Sequence, residues 1–212
     1  MNAEVTVFGA RYSVYVRAVL MALEAKGVPY ELEPVDIFAQ DETVEAYRKL
    51  HQFGRIPAFR HGEFVLYETA AINRYIDEAF AGPPLQPATA QDRARMVQIM
   101  SVTDNYGYRP LVWDIYVERV SNPREGKPVN EALIAAALPK ARSYVQALCD
   151  LMGGKLFLTD ETPTLADFHA APVFGYFLEA AEGLRVINDY PGLVDWWERI
   201  SASAAWMRAV TP

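Results

Sequence analysis

At 212 residues, with 51% apolar and 22% charged side chains, the chain is long enough for one large or two modest domains and too apolar for disorder. A formal charge of −7, a pI near 5.0 and no Lys/Arg cluster exclude a general affinity for nucleic acid or for anionic membranes. No apolar run approaches the ~20 residues that cross a bilayer, and Cys149, the single cysteine, excludes an intrachain disulfide and argues against a Cys-based metal site.

The first eighty residues alternate strand and helix signals. Met1 to Phe8 is too short and too acidic for a secretory signal, so a cytoplasmic protein is the expectation, and Val5, Val7 and Phe8 read as a first strand. Val16, Val19, Leu20 and Leu23 then recur at helical spacing over 13–26, with Gly27 as the stop. A second strand is expected over 28–35 and a short helix over 42–50. Pro57-Ala58-Phe59 and Phe64-Val65-Leu66 flank His61-Gly62-Glu63, which predicts a hairpin. Ala71, Ile72, Tyr75 and Ile76 give a helix over 68–79 one apolar face. The order βαβαββα predicts a compact α/β domain over 1–80.

Three prolines, Pro83, Pro84 and Pro87, make 81–88 a stiff linker. Beyond it the strand signal fades. Helices are expected over 89–120, 130–152, 164–181, 190–200 and 203–210, with Pro110 and Pro139 kinking or interrupting the first two and Gly153-Gly154 ending the second. The expected architecture is therefore an α/β domain followed by an all-helical one over 89–212.

Several residues sit where chemistry is available. Ser13 begins the first helix, where its hydroxyl either caps a backbone N–H or donates to a bound anion beside the positive helix end. No Gly-x-Ser-x-Gly elbow marks a nucleophilic serine. Ile56-Pro57 enters a strand. Cis forms only ~5–6% of X-Pro bonds, so trans is the unaided expectation, whereas a cis bond would turn the Ile56 N–H and C=O outward to pair with an extended peptide. Glu68-Thr69 opens a helix, as a first-turn acid and cap or as a pair that holds an ammonium and an anion. Thr164-Leu165-Ala166-Asp167 has the pattern of a capping box and a structural role. The histidines His51, His61 and His169 have no ligand-like spacing.

Taken together and in order, these segments resemble the cytosolic glutathione S-transferase superfamily over essentially the whole chain. Val7 to Ser13, followed by Val14 to Leu20, is similar to the serine-type classes (phi-like, theta-like or bacterial) at the spacing of their catalytic serine. Phe53-Gly54-Arg55-Ile56-Pro57-Ala58-Phe59 resembles the segment around the family's cis-proline. Tyr67-Glu68-Thr69-Ala70-Ala71-Ile72 resembles its acidic–Ser/Thr pair, and Thr164 to Asp167 its capping box. The resemblance implies a thioredoxin-like N-terminal domain, a helical C-terminal domain, a homodimer, a cis Pro57 and glutathione as cosubstrate with no bound cofactor or metal. It makes Ser13 the thiolate stabiliser, with Tyr12 as runner-up. It makes Ile56 with Pro57 the clamp on the cysteinyl unit, and Glu68 with Thr69 the γ-glutamyl contacts.

Arg55 stands where these classes often carry Gln, and its guanidinium suits the glycyl carboxylate. Residues 36–48 hold no match for the basic residues that commonly bind that group. A Cys-type enzyme is disfavoured because the first domain lacks cysteine, and the Ser-Ser-Cys signature of the zeta class is absent. The implied reaction conjugates the glutathione thiolate to a small hydrophobic electrophile, with dehalogenation and peroxide reduction as variants. Tyr106, Tyr108, Trp113 and Tyr116 are either core or interface, or a pocket between the domains for a flat, partly polar substrate. Trp196, Trp197 and Trp206 read as packing residues. The alternative is a non-catalytic carrier or interaction protein that binds glutathione conjugates or apolar ligands.

Overall fold

A computed structural model describes residues 4–38 and 42–211. It divides the chain into two compact units: the residues up to Leu85 together with those from Ser203 onward, and Gln86–Ala202. The expected boundary near the prolines is close to this division, but the second unit stops at Ala202, because the last helix packs on the first one.

In the first unit, β1 (Val5–Gly9), β2 (Glu31–Pro34), β3 (Ala58–His61) and β4 (Phe64–Tyr67) form one four-stranded sheet in the order β2-β1-β3-β4. β1 runs parallel to β2 and antiparallel to β3, which runs antiparallel to β4. All of β1 is buried, as a central strand covered on both faces must be, whereas β2 and β4 are edge strands and largely accessible. The helices are α1 (Val14–Lys26), α2 (Glu42–Tyr47) and α3 (Thr69–Ala79). α1 ends on Gly27, whose φ of 67° is the left-handed conformation of a helix stop. The expected helix over 42–50 is a single α-helical stretch to Tyr47 followed by turns. On α3 the buried face is Thr69, Ile72, Asn73 and Ile76, so Ala71 lies outside the predicted stripe and a polar Asn73 lies within it. The proline segment is pinned to this unit: Asp77 accepts hydrogen bonds from Lys26 Nζ at 3.0 Å and from the Leu85 N–H at 2.8 Å.

The second unit begins with α4 (Ala90–Val102), capped by Thr89. The expectation of one helix to residue 120 is met in extent but not in pitch. Thr103–Gly107 and Arg109–Ser121 are π-helical, and their terminal N–H bonds reach back five residues, from Tyr108 to Thr103 and from Asn122 to Val117. Pro110, which lacks an N–H, sits at the start of the second π segment, where it widens the ladder rather than stopping the helix. α5 (Asn122–Arg124) closes the run, and α6 (Glu131–Met152) continues through Pro139 without interruption. α7 (Leu165–Phe177) carries the capping box. Its Asp167 is fully buried and accepts from the Leu158 and Thr164 N–H groups, the Thr164 hydroxyl and Trp196 Nε1 at 2.7–2.9 Å. The expected helix over 164–181 ends at Phe177. A separate α8 (Ala181–Ile187) follows, and Gly183 in it lies against the Phe177 carbonyl, where any Cβ would collide with it. α9 (Pro191–Ser201) completes this unit, and α10 (Ala204–Val210) returns the chain to the first.

Candidate active site

Sheet register assembles the site. Ala58 of β3 pairs with Phe8 of β1 on one side and with Tyr67 of β4 on the other. Three segments therefore leave one end of the sheet side by side, at strand spacings of roughly 5 Å: Gly9 to Ser13 after β1, Arg55 to Pro57 before β3, and Glu68-Thr69 after β4. Gly9 makes their close approach feasible. A Cβ there would lie 2.5 Å from Val16 Cγ2 and 3.4 Å from Ile56 Cβ, so the Ile56 side chain rests on the β1–α1 junction.

Ser13 caps α1. Its oxygen accepts the Val16 N–H at 3.4 Å, a long bond, and its own proton has no acceptor among the described residues. The hydroxyl is thus available to donate at the positive end of a thirteen-residue helix. Tyr12, the runner-up, is about half exposed, and its phenol is pushed up by burial and then by the charge of Asp36.

The Ile56–Pro57 peptide is cis, as the resemblance implies and against the unaided expectation. Among the described residues no hydrogen bond engages the Ile56 N–H or C=O. The preceding loop is fixed from α2, where the Tyr47 hydroxyl donates to the Arg55 carbonyl at 2.6 Å, while the Arg55 side chain is exposed.

Glu68 is the one non-glycine residue at positive φ among those described, with φ 74° and ψ 112°. It occupies the N-cap of α3 without a capping side-chain bond, so the first-turn N–H groups, that of the buried Thr69 included, have no capping side chain. A bulky side chain held in this region costs on the order of 1–3 kcal/mol, and such residues cluster at ligand clamps.

His51 is a site feature that motif spacing did not reveal. It is buried, its ring lies 4.6 Å from that of Tyr67, and burial pushes its imidazole below the usual value. Gln52 Nε2 donates to the Tyr67 hydroxyl at 3.1 Å, a second tie between the same loop and β4. Nothing in the sequence spacing marks these residues, which meet only because β3 and β4 form a hairpin.

The second unit carries the aromatic candidates. Tyr108 and Trp113 are five residues apart, one turn where the ladder is π-helical. Trp113 is 40% exposed between buried Val112 and Asp114. Tyr116 packs on Tyr176 of α7 with ring centroids 4.4 Å apart, which ties the π-helical run to α7. Tyr106 is exposed. Among the described residues no helix is long and apolar enough to cross a membrane.

A mixed sheet with a cis-proline at its entry to β3, an uncapped acidic helix start and a trailing helical unit give the chain a thioredoxin-like domain followed by a helical one. Residues 7–84 match the glutathione S-transferase N-terminal domain and residues 101–204 its C-terminal domain, and the chain belongs to the glutathione S-transferase family. It is 27% identical over 203 residues to glutathione S-transferase F13 of Arabidopsis thaliana, spanning 95% of this chain and 92% of the relative. Glutathione transferase F2 of Populus trichocarpa superimposes with a TM-score of 0.85 at 25% identity, covering 97% of each chain. The theta-class enzyme of Xanthomonas axonopodis pv. citri, solved with glutathione bound, gives 0.80 at 26% identity over 99% of this chain and 98% of that one.

Proposed function

We propose that this chain is a glutathione transferase in which Ser13 donates a hydrogen bond to the glutathione sulfur and the resulting thiolate attacks a small hydrophobic electrophile. The observation that carries this reading is the convergence, at the Phe8–Ala58–Tyr67 register, of three unsatisfied donor groups: the Ser13 hydroxyl, the Ile56 N–H and the α3 start. Each suits one part of the tripeptide. Ile56, whose N–H and C=O have no partner among the described residues, pairs with the cysteinyl unit as an added strand would. Glu68 takes the γ-glutamyl ammonium, and Thr69 with the α3 N–H groups takes its carboxylate. Arg55, exposed and anchored only through its carbonyl, takes the glycyl carboxylate.

The energies suffice without a metal. Lowering a thiol pKa by ~2 units requires ~2.7 kcal/mol of preference for the anion. One hydrogen bond to a charged acceptor supplies roughly 1.5–3 kcal/mol, and a helix N-terminus about 0.3–1 more. The thiol proton passes to solvent. The thiolate forms the new carbon–sulfur bond as a leaving group departs with its electron pair from that carbon, or by adding to an activated double bond that solvent then protonates. Tyr108, Trp113 and Tyr116, the last packed on Tyr176, are the proposed contacts of the electrophile.

The working form is proposed to be a cytoplasmic homodimer. Exposed Phe53, Phe64 and Val65 on the first unit support self-association, and a single cysteine suits a reducing compartment.

The test is a pH titration of the thiolate absorbance of bound glutathione in the wild type and in Ser13→Ala. A depressed pKa that returns towards that of free glutathione in the variant is expected, with kcat/KM at neutral pH falling about 10- to 100-fold. A shift unchanged in the variant would move the role to Tyr12. Binding with no shift in either protein would make the chain a carrier.

A further inference from the structure

We propose that His51 is a positioning residue that holds the Arg55–Ile56 loop in register with the Glu68–Thr69 helix start, and that a proton on its ring weakens glutathione binding through Glu68. The inference rests on the glutathione-binding reading above and adds a residue that the motifs do not contain.

His51 is joined to both halves of the site. Its N–H donates to the Tyr47 carbonyl at 3.0 Å, and its carbonyl accepts from Gly54 at 2.8 Å, which closes the turn that leads into Arg55. Its ring lies 6.2 Å from those of Tyr47 and Phe53, and packs most closely on Tyr67, the residue before Glu68. The imidazole is 2% exposed, and its Nδ1 has no hydrogen-bond partner among the described residues. A buried ring nitrogen left unpaired is unusual, and an uncharged imidazole tolerates the position far better than a charged one.

The ionisable surroundings set the sign. From α2 come Tyr47 and, just beyond the helix, Arg48, which pairs with Glu45 at 3.6 Å. From β4 and α3 come Tyr67 and Glu68, and from its own loop Arg55. Burial holds the proton off, the Glu68 carboxylate draws it on, and Arg55 opposes it less strongly. An imidazolium here therefore leans on Glu68, the group assigned to the glutathione ammonium. Proton and peptide compete for one carboxylate. Free glutathione has no group that titrates between the carboxylate range near 4 and the thiol range above 8, and the bound thiol that Ser13 ionises contributes alike with and without His51. The difference in acid weakening between the wild type and a His51 variant therefore reports His51.

The experiment measures glutathione Kd and KM from pH 5.5 to 7.5 in the wild type, His51→Phe and His51→Ala, together with an NMR titration of the His51 ring with and without saturating glutathione. Between pH 6.5 and 5.5 the wild-type Kd rises three- to tenfold more than that of His51→Phe, which keeps the stack on Tyr67 and retains only the pH dependence of the bound thiol. The kcat profile at saturating glutathione is the same in both proteins. His51→Ala raises KM at every pH. By linkage, bound glutathione moves the His51 titration to lower pH. Equal pH dependence in wild type and His51→Phe, or a His51 titration that glutathione does not move, overturns the proposal while leaving the transferase reading intact. Absence of glutathione binding at pH 7.5 in the wild type overturns both.

Discussion

Glu68 and Ser13 do opposite things to the chain that carries them. Ser13 stabilises the start of α1 as an ordinary cap, whereas Glu68 occupies a backbone conformation that glycine would adopt freely. Replacing Glu68 by Gly should therefore leave the protein as stable or up to about 1 kcal/mol more stable in urea unfolding, while glutathione KM rises at least tenfold. A loss of stability on this change would show that the Glu68 side chain supports the fold. His51 adds a pH dependence of stability. Because burial lowers its pKa from 6.5, the folded chain takes up fewer protons than the unfolded one as pH falls below that value. The stability its neutral form contributes above pH 6.5 is lost on acidification, and His51→Phe should flatten that part of the stability profile. Ser13, Glu68 and Thr69 were legible in the sequence because each lies at a helix start that local pattern predicts. His51 and Gly9 were not, since their roles depend on a ring stack and a close approach between segments far apart in the chain.

At the scale of elements, local chemistry placed helices better than it described their pitch or their breaks. Pro110 signalled a disturbance, but whether a proline stops a helix or widens it depends on packing around it. Here Gly107 lets the Tyr144 ring of α6 sit where a Cβ would be within 3 Å of it, and the Tyr144 hydroxyl bonds Thr103 at 2.9 Å. Gly107→Ala should cost about 1–3 kcal/mol through overpacking and is read by thermal unfolding. A neutral result would mean that the π-helical run yields easily. The capping box of α7 was fully legible, yet its reach was not: Asp167 also binds Trp196 of α9 and the Leu158 N–H. Thr164→Ala should cost about 1 kcal/mol or more in the same assay.

For the whole molecule, the proline segment announced a change of architecture, and the structure shows what holds its near end. Lys26 and Asp77 form a buried pair at 3.0 Å, and Asp77 also receives the Leu85 N–H. Asp77→Ala leaves the Lys26 charge buried and should destabilise the protein by about 3–5 kcal/mol in urea unfolding. The return of α10 to the first unit left no periodic trace in the sequence, because pairing of residues almost two hundred positions apart is not a local property. It is visible in α1, whose Val14, Val16, Ala18, Val19, Leu20, Met21, Ala22 and Leu23 are all buried, more than one sheet face requires. Arg11 donates to the Arg208 and Ala209 carbonyls and Arg208 to Glu24, fastening the two helices. During synthesis, therefore, α1 leaves the ribosome long before the helix that packs on it. Until α10 follows, one side of α1 stays bare, and the nascent chain carries an apolar surface that α10 later covers.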